Sequence, residues 1–238
     1  MRQAVIVDAV RTPVVDAKIS RAKASLTALE VALPRTNSAT LGYHSQIAAS
    51  PNVKKWVQVD LGKPYPIDAL ILVPAHVKFG GHPGPGFGFP PEFHVRTSED
   101  PKFARSTPIA EFTEEPMPHP GDAPVVFDGR GIHARYVRVT ATRLWKRTGD
   151  WIFALGELAV MSGGRNVAAG AQVTSLDSIE AKPSWSRPNL TDGFTSRQRV
   201  APDETLVQIG QRGVTVRRLQ EERRLKRETT MAPARDRF

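Results

Sequence analysis

The chain has 238 residues, 40% of them hydrophobic and 24% charged, which is enough for one large domain with a core of its own. Cysteine is absent, so thiol nucleophiles, disulfides and thiolate-held zinc or iron–sulfur centres are excluded, and no apolar run approaches the ~18 residues of a membrane span. The net charge of +9 is uneven, with 11 Lys/Arg against 6 Asp/Glu in residues 195–238; the basic balance is largely a property of that tail and argues against a specific nucleic-acid partner for the rest.

Residues 1–24 are expected as an irregular N-terminal extension. A strand-like run covers Ala4 to Val10, and residues 21–33 read as a short helix ended by Pro34. The apolar patch Ala4 to Val7 is too short for the core of a signal peptide, so an exported protein would carry its signal outside this chain. Met1 to Pro13 (MRQAVIVDAVRTP) resembles the opening strand of thiolases over 13 residues. Thiolase chemistry requires an acylated cysteine, which this sequence cannot supply, and no enzymatic activity is expected.

From Trp56 onward the pattern is β. Val57, Val59 and Leu61 fall on one face of a half-buried strand, and Ala69 to Val73 (ALILV) is a continuous apolar run, short enough for a strand buried on both faces. Alternation returns at Phe93, Val95 and Thr97, and again at Val137, Val139 and Ala141. The segment Phe153 to Met161 closes the series, with shorter candidates at Ile109 to Thr113 and Val125 to Asp128. Gly- and Pro-rich loops separate them, notably Phe79 to Pro91 and Glu115 to Pro124. Short strands with turn signals between them predict an all-β sandwich or barrel. Its core is expected to contain Trp56, Val57, Val59, Leu61, Leu70, Leu72, Phe93, Val95, Val137, Val139, Leu158 and Val160.

The stretches WVQVDLGKPYPIDALILVPA (Trp56 to Ala75), EFHVRTSEDP (Glu92 to Pro101), RYVRVTAT (Arg135 to Thr142) and LGELAVM (Leu155 to Met161) together resemble successive core strands of a discoidin domain, also called the coagulation factor V/VIII type C domain. The resemblance covers residues 25–162, with four motifs in the family's order and spacing. It implies an eight-stranded, galactose-binding-like jelly roll with ligand loops gathered at one end, an extracellular or cell-surface setting, and a carbohydrate or extracellular protein as partner. A second resemblance, NVAAGAQVTSLDS (Asn166 to Ser178) with WSRPNLTDG (Trp185 to Gly193), is to the beginning of such a domain; residues 163–194 are therefore expected as a truncated second copy. Residues 195–238 read as a basic, mobile tail, helical over about Val216 to Glu228, with only Val216, Leu219 and Leu225 apolar there.

No enzyme signature emerges. The glycines of FGGHPGPGFGF (Phe79 to Phe89) lack a GKS/GKT ending and a following helix, and Pro83 and Pro85 remove donors that a phosphate nest needs. Histidines at 44, 76, 82, 94, 119 and 133 show no HExxH or HxH spacing, and no metal ligand is assigned. The resemblance implies calcium near a DG turn, but the only match is Asp192-Gly193, and one Asp falls short of the six or more oxygens that calcium takes; no cofactor is expected.

Sugar binding needs an exposed aromatic face and a few convergent polar groups. The loops best supplied are Pro74 to Pro91, with His76, Phe79 and His82, and Leu144 to Ile152, with Trp145, Arg147, Asp150 and Trp151. Each aromatic is as readily a plug for the end of the sandwich as a platform for a ligand. The two loops form one site only if they lie at the same end. The expected function is a non-catalytic binding module for a carbohydrate or another extracellular ligand, the alternative being a structural or protein-interaction module of a larger surface protein. The sequence leaves the oligomeric state open.

Overall fold

The computed structural model describes residues 3–200 and 202–231. The sequence folds into two helices, α1 (Gln3–Val31) and α2 (Asp203–Met231), flanking seven strands that form one hydrogen-bonded series. These are β1 (Lys55–Val73), β2 (Glu92–Ser98), β3 (Thr107–Phe112), β4 (Val125–Arg143), β5 (Glu157–Ser162), β6 (Arg165–Asn166) and β7 (Gln172–Ser175). The order is β6-β5-β1-β4-β2-β3, with β7 on the free side of β1's first half.

Two strands of 19 residues each make the sandwich. β1 and β4 pair antiparallel along their length, but their register shifts between Asp60 and Tyr65 and again between Ile67 and Ala69. Such irregularities bend a strand, and each strand thereby serves both layers. In one layer Val57, Val59 and Leu61 run beside Val137 and Val139, with β2, β3 and β7 completing the sheet. In the other, Leu70 and Leu72 lie beside Val125 and Phe127, and β5 pairs Leu158 with Leu72 and Val160 with Leu70. Inward-facing residues of both layers form one core cluster, which holds eleven of the twelve side chains expected there.

Trp56 is the exception. Side chains alternate along a strand, so Trp56 and Val57 cannot share a face; Val57 is buried in the core, while Trp56 is half-buried on the outer side beneath the Arg138 guanidinium, 4.5 Å from its ring.

The run Ala69 to Val73 is buried on both faces as expected, and α2 is the reason. Ala69, Ile71, Val73, Val126, Ala159 and Met161 make a second apolar surface on the outside of their layer, on which Leu26 of α1 and Leu206 and Ile209 of α2 are packed. Each such aliphatic side chain contributes roughly 1.5–3 kcal/mol when fully buried. Within the tail expected over 195–238, the described residues Asp203–Met231 form one continuous helix packed on the sandwich, longer than the stretch read as helical, while residues 232–238 lie outside the described residues. The docking residues Leu206, Ile209 and Val216 precede or open the stretch read as helical, and that stretch's thin apolar stripe undercounted what the helix buries. The strand-like reading of Ala4 to Val10 is also corrected, since its backbone is helical within α1; a short apolar run does not by itself distinguish strand from helix. Arg212 bonds Ser25 and Arg223 lies 2.9 Å from Asp16, so the helices run antiparallel.

Residues 163–194, expected to open a second domain, are built into the first. β7 pairs Val173 with Val59 of β1, and Ala168, Val173 and Leu190 join the main core. The segment supplies an edge strand that the sheet would otherwise lack. Chain entry and exit then meet: Thr36 N–H donates to Gln198 O at 2.7 Å, Val200 N–H to Pro34 O at 2.9 Å, and Arg199 Nη1 to Leu33 O at 2.5 Å.

α2 approaches the sheet most closely at Gly213, where an added Cβ would stand 2.2 Å from Val126 Cγ2. Gly213→Val is expected to cost about 1–3 kcal/mol and to remove amide-exchange protection from α2 while the sandwich strands keep theirs. Val139→Asp buries an unpaired charge between the layers and is expected to cost several kcal/mol by chemical denaturation.

Candidate functional site

The loops after Val73 and after Arg143 meet at one end of the sandwich. Ala75–His76 pairs with Pro85–Phe87 as a short ladder, closed beyond it by the bond from His82 N–H to Phe79 O at 2.8 Å. Trp145–Lys146 pairs with Trp151–Ile152, and Arg147 N–H donates to Asp150 O at 2.9 Å across the turn. The same turn is clamped by its side chains, Arg147 Nε and Nη2 donating to Asp150 at 2.8 and 2.5 Å. This two-pronged pair holds the Asp150 carboxyl below its usual range.

The two loops touch through aromatic rings. Phe87, 3% exposed, is the hub, with the rings of Trp145, His82, His44, Trp185 and Phe79 centred 5.3 to 6.4 Å from its own. His82 meets Trp145 edge to face at 4.7 Å. Phe79 is 46% exposed, and the Arg147 guanidinium lies 4.9 Å from its centroid. At Gly80 an added Cβ would stand 2.6 Å from Thr148 Cγ2, so the loops are in close contact.

His76, Phe79, His82, Trp145, Arg147 and Asp150 therefore share one end. Trp151 does not join them. Its neighbour Ile152 enters the aromatic cluster, while Trp151 turns the other way and packs, partly buried, against the main core. His76 Nδ1 is 2.8 Å from Asp122, and Arg197 approaches that carboxylate's other oxygen at 3.6 Å. His82 is held toward its neutral form, first by desolvation and then by the nearby His119 and His76. Its Nδ1 accepts from Gly84 N–H at 3.1 Å, so it presents a ring edge to its surroundings more than a free nitrogen.

Sequence reasoning missed two buried members of this end. Trp185 stacks on Phe87 at 6.2 Å, and His44 is 3% exposed with its pKa lowered, chiefly by burial. The signal for Trp185 was present in the motif WSRPNLTDG, but that motif was assigned to a separate domain. Two cavities, of about 430 and 330 Å³, lie against α2, and the second reaches back toward this end through His119, whose ring abuts Gly86.

A second polar cluster sits around the DG turn. Glu157 is fully buried at the head of β5; its Oε1 accepts from Gly193 N–H at 3.3 Å and its Oε2 has no hydrogen-bond partner. The half-buried Asp192 carboxylate stands beside it, accepts from Phe194 N–H at 2.9 Å and is bonded by Thr40. Burial first, and then the proximity of Asp192, drive the Glu157 carboxyl well above its usual range; Asp192 is raised mainly by burial. Two carboxyls and a hydroxyl fall short of the six or more oxygens calcium takes, and among the described residues no group of three or more acidic or histidine side chains gathers to hold a metal; the raised Glu157 carboxyl instead hydrogen-bonds to Asp192. Glu157 was not foreseen; the signal was an acid at the head of the otherwise apolar LAVM run.

A β-sandwich with its aromatic, hydrogen-bonding loops gathered at one end has the architecture of a non-catalytic binding module. Residues 23–155 match the F5/8 type C domain family, and the chain belongs to that family. Among curated proteins none matches. Similar solved structures include the CBM32-3 module of a family 31 glycoside hydrolase from Clostridium perfringens, 20% identical over 53% of this chain and 78% of that one, with a TM-score of 0.38. The chitosan-binding module 1 of a chitosanase/glucanase from Paenibacillus sp. IK-5 is 18% identical over 49% and 74%, with a TM-score of 0.34. The C-terminal domain of a chitobiase from Bacteroides fragilis is 17% identical over 51% of this chain; the match spans 66% of that domain, just under two thirds, with a TM-score of 0.32.

The acidic corner sets a pH dependence. A carboxyl whose pKa is raised on folding imposes no penalty below its unfolded value near 4.5. It destabilises progressively as pH rises from there toward the folded value. Glu157→Gln is therefore expected to raise the melting temperature at pH 7 and to leave it nearly unchanged at pH 4.

Proposed function

We propose that this protein is a binding module for a carbohydrate or another extracellular ligand, recognised at the end formed by Phe79, His76, Trp145, Arg147 and Asp150. The observation that carries the reading is the convergence of two loops on Phe79, a ring 46% exposed and braced by the Arg147 guanidinium at 4.9 Å. A pyranose presents an apolar face of C–H groups that packs on such a ring, and its hydroxyls need the fixed donors and acceptors that Arg147, Asp150 and His76 offer. The bidentate Arg147–Asp150 pair fixes both side chains before a ligand arrives, which lowers the ordering cost of binding. Trp145, His82 and Trp185 form the supporting layer behind Phe87.

The family resemblance supports an extracellular or surface setting. No helix among the described residues is long and apolar enough to cross a membrane.

The test is a glycan array with purified protein, run with calcium and with chelator. Phe79→Ala and Arg147→Ala are expected to lower the signal at least tenfold while the melting temperature stays within about 2 °C of the parent for Phe79→Ala, an exposed substitution. A flat array under both conditions counts against the carbohydrate reading. Equal loss of binding and stability in Phe79→Ala would return the ring to a packing role.

A further inference from the structure

We propose that the cleft between α2 and the 117–126 segment binds a small organic carboxylate with an apolar body, at a site centred on Arg217 rather than on Phe79. The cleft encloses about 330 Å³, at the lower end of the range for small-molecule sites. Its walls are apolar, with Leu26, Pro118, Val125 and Val216 among them. Its ionisable lining groups are Lys23, His119 and Arg217, with Gln220 at the rim and no carboxylate among the described residues that line it.

Arg217 is the central observation. From α2 it reaches under the loop, where its Nε donates to Val126 O at 2.8 Å and its Nη2 points to Met117 Sδ at 3.8 Å. Its guanidinium lies 4.6 Å from the centre of the Phe127 ring and 5.5 Å from that of Phe112. None of these partners carries negative charge. Four other arginines lie against carboxylates, Arg135 at Asp60, Arg143 at Glu92, Arg187 at Glu180 and the adjacent Arg218 at Asp128, whereas Arg130, Arg199 and Arg212 donate to carbonyl or hydroxyl oxygens without lining this cleft. Arg138 shares the aromatic mode of burial, over Trp56 and Phe103, but it lies on the outer face of a sheet, where Gln58 and the Pro101 carbonyl accept its donors.

Desolvation without a counter-charge pulls the Arg217 pKa down to about 10. The side chain still remains a cation at neutral pH, and a largely buried cation gains most from an anion that reaches it. Two aromatic rings and a carbonyl fix the guanidinium plane, which preorganises it for the paired oxygens of a carboxylate. His119 adds a donor at the mouth, while the proline and aliphatic walls leave room for a hydrocarbon or aryl body. A neutral molecule of the same shape would leave the charge unmatched.

The probe is 4-phenylbutyrate, with 4-phenylbutyramide as its neutral counterpart, titrated calorimetrically into the full chain. The acid is expected to bind one to one and at least tenfold more tightly than the amide, with affinity falling as salt is raised. Arg217→Met should abolish binding. Because it also removes a buried bond to the sheet, Gln220→Glu is the companion variant: an exposed substitution that places a like charge at the mouth, expected to weaken 4-phenylbutyrate at least fivefold with an unchanged melting temperature and an unchanged glycan array. No saturable binding of the acid at up to about 10 mM, near the weakest affinities worth calling a site, would overturn the proposal. So would equal affinity for acid and amide, or indifference to Gln220→Glu.

Discussion

Side chains along Ala69 to Val73 point alternately to opposite faces of their strand, and all of them are apolar. Leu70 and Leu72 enter the space between the layers, which makes the sandwich; Ala69, Ile71 and Val73 point outward and would lie in water unless something covered them. That second demand is met by α2, seated through Leu206, Ile209 and the close approach at Gly213, with Leu26 of α1 beside it. A discoidin-type sandwich needs only the inner burial. The helices are thus a consequence of what five residues present on their outer side, and the clefts against α2 exist because a round helix cannot fill a twisted sheet completely.

The same economy governs the ends of the sheet. β1 and β4 are long enough to take part in both layers, and their register shifts near Asp60 and Ile67 are where they cross. Loops at the end beyond Val73 and Arg143 are therefore anchored by the two longest strands in the molecule. Phe87 gains its position from this: the ladder that carries it continues directly from β1, and the rings of Trp145 and His82 close over it from the other loop and its own.

The sandwich was legible because its signals are local and periodic. WVQVDL and RYVRV each alternate with period two, and their inward residues are those found in the core; only Trp56 was misplaced, where the size of the ring outweighed its parity. The loop end was legible as two lists of residues and not as one place, since parity of strand reversals left their relative position open. What sequence could not supply was long-range pairing. Residues 163–194 carried the marks of a domain's opening, and nothing in the order of the chain announced that β7 would complete the edge of the sheet already built. The same holds for Glu157 and Asp192, 35 positions apart, whose shared burial creates the acidic corner. α2 was misread because its apolar residues were weighed against water; the surface that receives them lies more than 130 residues earlier at Ala69 and Ile71.

The chain enters and leaves the sandwich at one point, where residues 34–36 lie against 198–200, and the two helices extend from it antiparallel, each of 29 residues and so about 43 Å long. Tension applied through the far ends of α1 and α2 would act on this arrangement as on a closed zipper. The helices would peel apart turn by turn, α2 would then lift from the outer face of the sheet, and the short ladder at 34–36 would open last, a bond at a time. A module mounted in this way can give up length gradually under load and still keep the loops around Phe79 and Phe87 folded.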